Sequence, residues 1–207
     1  MKTEHFVQNS ENDAIGARIA AVARVRFQQF GYAKTSMQEI ADEAGMSPAN
    51  LYRFYDGKLA IGRAVAATEQ AELFAACDQA VRAVRGGLAA RLIALFQALI
   101  DAHQRKIKQT PLLFELGLIV TRDTPGARRQ YLDEVETRIV TILAAGPKNT
   151  AHESTAAKAR GRLILLASAP FVLPWMMLNK PFGDPRPDVV PLVKYLLAGM
   201  ALEHPEG

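Results

Sequence analysis

The chain has 207 residues, of which 49% are hydrophobic and 22% charged, with 11 prolines and 14 glycines. That length gives one domain or two small ones sharing a core, and the composition excludes a disordered chain, a fibre or a long linker. A formal charge of +4 and a pI near 9.3 are compatible with an anionic partner such as a phosphate backbone, without requiring one.

Alanine, leucine and arginine are plentiful and β-branched residues sparse, so the composition leans helical. Residues 1–13 are polar, with no apolar segment before Ala14. They are expected to form a flexible tail rather than a secretory signal, which makes the cytoplasm the expected compartment. The first helix is predicted from Ala14 to Phe30, where Ile15, Ile19, Val22, Ala23, Arg26, Phe27 and Phe30 recur at three and four. Gly31 suits its C-cap, and residues 32–35 make a short connection.

Ser36 with Glu39 three residues later reads as a capping box, opening a short helix over Met37 to Ala44 that Gly45 stops. Met46 is expected to point inward at the turn. Ser47 then caps a third helix, with Pro48 in its first turn, running to about Tyr55 and ended by Asp56-Gly57. Two short helices joined by a glycine turn have the geometry of a helix-turn-helix. Ala41 must be small where the two helices cross, and Ile40, Met46 and Leu51 supply the apolar contacts that fix their angle. The outer face of the third helix, with Pro48, Ala49, Asn50, Tyr52 and Arg53, is then free to enter a DNA major groove. Arginine there favours guanine, asparagine favours adenine, and tyrosine offers a hydroxyl to phosphate or a ring to a thymine methyl.

Further along, helices are predicted over 58–84, 88–108, 111–122, 124–145, 154–179 and 188–203, with breaks at Gly86-Gly87, Thr110-Pro111, Thr124-Pro125 and Gly146-Pro147 and a loop over 181–187. The fold class is therefore all-α, with about nine helices and no internal repeat. Cys77, the one cysteine, lies in an alanine-rich helical stretch and is expected to be a small buried side chain. The longest apolar run, from Leu163 to Leu178, is too short for a membrane span and contains Pro170 and Pro174, so it is expected to be a buried, kinked helix.

From Phe30 to Lys58 the sequence resembles the N-terminal domain of the TetR family of regulators. The resemblance is carried by Phe30-Gly31-Tyr32, the run Thr35 to Ala41, Ala44-Gly45-Met46-Ser47, Leu51 to Tyr55 and Lys58, and it covers roughly residues 14–65. It implies DNA contacts from Met37 and Gln38 at the start of the second helix, and from Ser47, Pro48, Ala49, Asn50, Tyr52 and Arg53 on the recognition helix. It also implies that Lys58 lies against phosphate. Arg53-Phe54, Asp56-Gly57 and Leu59-Ala60 depart from the usual family residues, which leaves the base preference open.

The resemblance further implies three divisions: the tail 1–13, a DNA-binding domain 14–65, and a helical domain 66–207 that binds a small effector and dimerises through its last two helices. Leu163, Ile164, Ala167, Phe171 and Trp175 form one apolar face there, and Val189, Val193, Leu196, Leu197 and Met200 another. A packed core within one subunit would give the same stripes. Candidate effector contacts are Phe96, Phe114, Leu118, Phe171, Trp175, Met176 and Met177, with His103 and Arg122 as polar groups. Because His103 adjoins Arg105, Lys106 and Lys108, it is read as part of a solvated face.

The four histidines have no paired metal spacing, and there is no phosphate-binding glycine loop or nucleophile elbow, so no cofactor, metal or enzymatic activity is expected. The expected function is a transcriptional regulator, a repressor acting as a dimer on operator DNA and released by a small effector. The competing reading is a helical carrier or enzyme in which the DNA-binding motif is vestigial.

Overall fold

The computed structural model describes residues 2–145, 151–178, 184 and 186–202. Among these residues ten helices and no strands are found. They are α1 (Lys2–Phe30), α2 (Met37–Glu43), α3 (Pro48–Leu51), α4 (Lys58–Ala83), α5 (Leu88–Gln109), α6 (Pro111–Asp123), α7 (Ala127–Ala144), α8 (Ala151–Val172), α9 (Pro174–Met177) and α10 (Arg186–Leu202).

The structure departs from the prediction at α1 and in the apolar run 163–178. The expected tail is helical from Lys2, so α1 starts well before Ala14; an apolar stripe marks only the packed part of a helix, and a polar continuation leaves no periodic signal. The additional helix, α9, comes from the apolar run 163–178. Pro170 is carried inside α8, and the break falls at Leu173, whose backbone is extended at φ −92° and ψ 128°. The next residue is Pro174, and a residue before proline is pushed out of the helical region. Nor is the run uniformly buried: Ile164 and Leu165 are inside, while Leu163 is 55% and Leu166 61% exposed. The predicted ends of the last two helices, at 179 and 203, the closure at Gly146-Pro147, and positions 181–183 and 185 of the predicted loop lie outside the described residues.

The chain divides into two units that do not follow the sequence contiguously. The first comprises residues 1–72 and 105–124, the second residues 73–104 and 125–207. Helix α6 belongs to the first unit. Its Leu113, Leu116 and Val120 share a core with Ile19, Ala23 and Phe27 of α1, Ile40 and Ala41 of α2, Leu51 of α3, and Ile61 and Val65 of α4. Glu69 ties the same unit together: it takes hydrogen bonds from Arg24 Nε on α1 and sits 2.7 Å from Lys106 Nζ at the end of α5.

The second unit has its own core, built from Phe74, Cys77, Leu92, Leu95, Phe96, Leu99 and Ile100, with Tyr131, Val135 and Ile139 of α7, Ile164 of α8, and Val189 and Val193 of α10. Cys77 is fully buried, as its surroundings suggested, and burial pushes its thiol up to about 11. Helices α7 and α8 approach closely at Gly161, where a Cβ would lie 2.6 Å from Val140 Cγ2. Arg138 of α7 pairs with Asp78 and Glu134 and lies 4.1 Å over the Phe74 ring. No helix among the described residues is long and apolar enough to cross a membrane.

Candidate nucleic-acid interface

Local chemistry accounts for the helix-turn-helix. Gly31 adopts φ +87°, donates its N–H to Phe27 O at 3.0 Å and ends α1. Ser36 is extended and caps α2: its Oγ accepts from Glu39 N at 3.2 Å, while Glu39 Oε2 accepts from Ser36 N at 2.8 Å. The full capping box is present, and those hydrogen bonds hold the Glu39 carboxyl below its ordinary pKa, helped by Arg26.

At the other end, Gly45 takes φ +68° and donates to Asp42 O, and Met46 donates to Ala41 O at 3.0 Å. This pair of bonds is a Schellman motif, which satisfies the last carbonyls of α2 and turns the chain toward α3. Met46 packs half-buried against the core that contains Ala41, as the turn position predicted. Ser47 Oγ then accepts from Asn50 N at 3.2 Å, Pro48 stands at the first position, and Leu51 is fully buried.

The third helix is shorter than predicted. After Leu51 three-residue steps, Arg53 N to Asn50 O and Phe54 N to Leu51 O, mix with four-residue steps from Tyr52 N to Pro48 O and Tyr55 N to Leu51 O, and the turn reaches Tyr55 without regular α-helix. Tyr55 Oη donates to Gly16 O at 2.9 Å and ties this end to α1. A cleft of about 380 Å³ lies there, lined by Asn12, Asp13, Gly16, Ala17, Arg53, Phe54 and Tyr55.

Most of the residues predicted to contact DNA are exposed or half-buried. Ser47, Ala49, Tyr52 and Arg53 are exposed, Tyr52 by 52%, and Pro48 and Asn50 are half-buried beside them. Gln38 is exposed on α2, with Nε2 donating to Asp42 Oδ1 at 2.7 Å. Met37 is half-buried and packs against the core. Lys58 is half-buried, and its Nζ donates to Tyr32 O and Thr35 O, each at 2.9 Å, and to Ala33 O at 3.4 Å.

The candidate effector residues do not gather in one unit. Phe114, Leu118 and Arg122 belong to the first unit, and Arg122 is exposed and paired with Asp123. Phe96, His103, Phe171, Trp175 and Met176 belong to the second. Phe96 is fully buried in its core, Phe171 and Trp175 pack partly buried against it, and Met176 is 37% exposed.

The solvated reading of His103 is overturned. His103 is 3% exposed, and its Nε2 lies 2.8 Å from Tyr131 Oη. It stands four residues after Leu99 and seven after Phe96, on the buried face of α5 rather than with its basic neighbours. Tyr131, which sequence reasoning did not single out, also stacks edge-on with Trp175 at 5.5 Å, and Arg128 lies 5.3 Å over that indole. Glu69 was missed as well, since the partners that make it an anchor lie 45 and 37 residues away. Among the described residues no group of three or more His, Cys, Asp or Glu could hold a metal ion.

The family described as bacterial regulatory proteins, tetR family, matches residues 19–65, and the tetracyclin repressor-like C-terminal domain matches residues 89–184. Several solved structures share the fold. The TetR family repressor AlkX from Dietzia, implicated in biodegradation of n-alkanes, aligns over 90% of this chain and 95% of its own at 11% identity and TM-score 0.56. The fatty acid degradation regulator FadR from Bacillus halodurans aligns over 88% of this chain and 94% of its own at 15% identity and TM-score 0.58. A tetR-family regulator from Streptomyces coelicolor aligns over 91% and 83% at 20% identity and TM-score 0.53. At these identities the likeness is one of fold. No curated protein matches the chain.

Proposed function

Because the chain belongs to the TetR family of transcriptional regulators, we propose that it is a one-component repressor that binds operator DNA as a dimer and leaves it when a small effector binds. The observation that carries this reading is the helix-turn-helix itself. Capping box, Schellman turn and serine cap fix α2 against α3, and the outer face of α3 presents Ser47, Ala49, Asn50, Tyr52 and Arg53. Asn50 and Arg53 read base edges, and Ser47, Tyr52 and Gln38 hold the backbone in register.

Dimerisation through α8 and α10 is supported by apolar side chains left in the open: Leu163 and Leu166 on α8, and Tyr195, 80% exposed, on α10. Two copies of the motif one helical turn apart give an operator affinity that one copy lacks. The effector is an apolar molecule held in the second unit, and Phe96, His103, Phe171, Trp175 and Met176 are its candidate contacts. Binding shifts the dimer toward a state with a different spacing of recognition helices, a coupling of ~1–3 kcal/mol. The setting is the cytoplasm, where operator DNA is found.

The test is a titration of the purified protein with the DNA upstream of its own gene and with random duplex at physiological salt. Preferential binding to the upstream DNA is expected, with affinity falling steeply as salt rises. Equal affinity for both duplexes would defeat the regulator reading.

A further inference from the structure

Arg26 stands in sequence between Ala23 and Phe27, both fully buried in the core of the first unit, and its own side chain is only 18% exposed. We propose that Arg26 is a positioning residue for DNA recognition: its guanidinium clamps both ends of α2 to α1 and so sets the pose from which α3 reads bases. The inference rests on the DNA-binding reading above.

The two terminal nitrogens of the guanidinium go to different turns of α2. Nη2 donates to Glu39 Oε1 at 3.0 Å in the first turn, and Nη1 donates to Glu43 Oε2 at 2.9 Å at the last residue. Residues four apart share one face of a helix, so a single planar fork spans both. Glu39 is itself held, because its other oxygen accepts from Ser36 N and Ser36 Oγ, each at 2.8 Å. The Phe30 ring, its centroid 4.8 Å from Arg26 Cζ, backs the charge. Packing of Ile40 and Ala41 into the core is non-directional and fixes how close α2 lies. Two hydrogen bonds from one rigid group fix how it is turned.

Stability is a poor account of this cluster. Arg26 Nε is buried and meets no acceptor among the described residues, which costs free energy. The Glu39 and Glu43 side chains are 43% and 44% exposed, and ion pairs to such wetted carboxylates contribute little. An aliphatic side chain of similar length would fill the same place without an orphaned donor. Orientation is what the fork adds. Gln38 adjoins Glu39 on α2, and the turn at Gly45 carries the pose of α2 into α3. Base readout depends on that pose, whereas attraction to the phosphate chain does not.

The experiment uses the full chain with Arg26→Met, Glu43→Ala and the two combined; Glu39 is left intact because it also completes the capping box. Each protein is titrated with the upstream duplex and with random duplex at physiological salt, and melted beside the unsubstituted protein. Arg26→Met is expected to melt within about 3 °C of wild type. It should bind the upstream duplex about tenfold more weakly, the scale of one charged hydrogen bond, and random duplex as before. Glu43→Ala should weaken upstream binding in the same direction by a smaller factor, and the double variant should be no worse than Arg26→Met, because the two residues act as one unit.

An effect of charge alone gives another pattern: losing the cation weakens binding to both duplexes, and losing the carboxylate strengthens both. That pattern would overturn the proposal, as would single variants that keep the wild-type preference for the upstream duplex. Should Arg26→Met melt far lower or not fold, Glu43→Ala decides alone: weaker upstream binding upholds the clamp, and unchanged or stronger binding overturns it. If the unsubstituted protein shows no preference for the upstream duplex, the DNA-binding reading fails and the inference falls with it. A wild type that discriminates, matched by variants that discriminate equally, defeats the inference alone.

Discussion

Replacing Glu69 by glutamine should lower the melting temperature at neutral pH, and by an amount the structure sets. The side chain is 10% exposed and meets Arg24 Nε on one oxygen and Lys106 Nζ, at 2.7 Å, on the other. Burial by itself would raise the carboxyl's pKa, but the hydrogen bond and charge of Lys106, and then those of Arg24, outweigh it and hold the group below its ordinary value. Glutamine keeps the shape and an acceptor but removes the charge. A hydrogen bond between charged groups contributes about 1 kcal/mol more than one to a neutral acceptor, so two bonds give about 2 kcal/mol. Arg24 is 37% exposed and regains water, which trims the loss to about 1–2 kcal/mol. For a chain of this length that corresponds to about 3–6 °C. A carboxyl whose pKa is depressed on folding stabilises above its unfolded value, near 4.3, and loses that contribution as pH falls through the folded value. Thermal melts of wild type and Glu69→Gln should therefore differ at pH 7 and converge as pH drops below about 4. A gap of less than about 1 °C at pH 7, or one that persists undiminished at about pH 3, would refute the reasoning.

Three further outcomes are expected. Gly161→Ala drives a methyl into Val140 Cγ2 at 2.6 Å and should cost about 1–3 kcal/mol in denaturant unfolding; an unchanged midpoint would mean that α7 and α8 are not in such close register. Asn50→Ala and Arg53→Ala should each relax base choice at one operator position by about 1–3 kcal/mol, read by selection from randomised duplexes, and an unaltered base profile would remove them from the readout. Cys77, buried and with its thiol pushed up to about 11, should resist alkylation at pH 8 in the native protein and react once unfolded, whereas rapid native labelling would contradict its placement.

What could be read from the sequence was the chemistry confined to a few neighbouring residues. Ser36 with Glu39, Gly45 with Met46, and Ser47 with Pro48 each act on backbone groups within one turn, so their spacing predicts their bonds. Legibility fell wherever a partner lay far away. His103 was misjudged from its basic neighbours, although its spacing from Phe96 and Leu99 places it on the buried face; its partner Tyr131 is 28 residues on. Leu163 and Leu166 carry the same apolar signal as Ile164 and Leu165, and nothing local tells which pair faces the subunit's own core. The joining of α6 to α1 depends on Leu113 and Leu116 finding Ile19 and Phe27, a choice made by packing across some ninety residues of chain.

That joining limits how the protein can be rearranged. The DNA-reading head is not a cassette that one cut can release, since a fragment ending at residue 72 would lack Leu113, Leu116 and Val120 and leave Phe27, Ile61 and Val65 short of partners. A chimera with a foreign sensor has to import residues 105–124 with the head, as an insertion inside the borrowed sensor rather than an appendage to it. Recombination faces the same constraint: α6 has to stay with the unit whose core it completes.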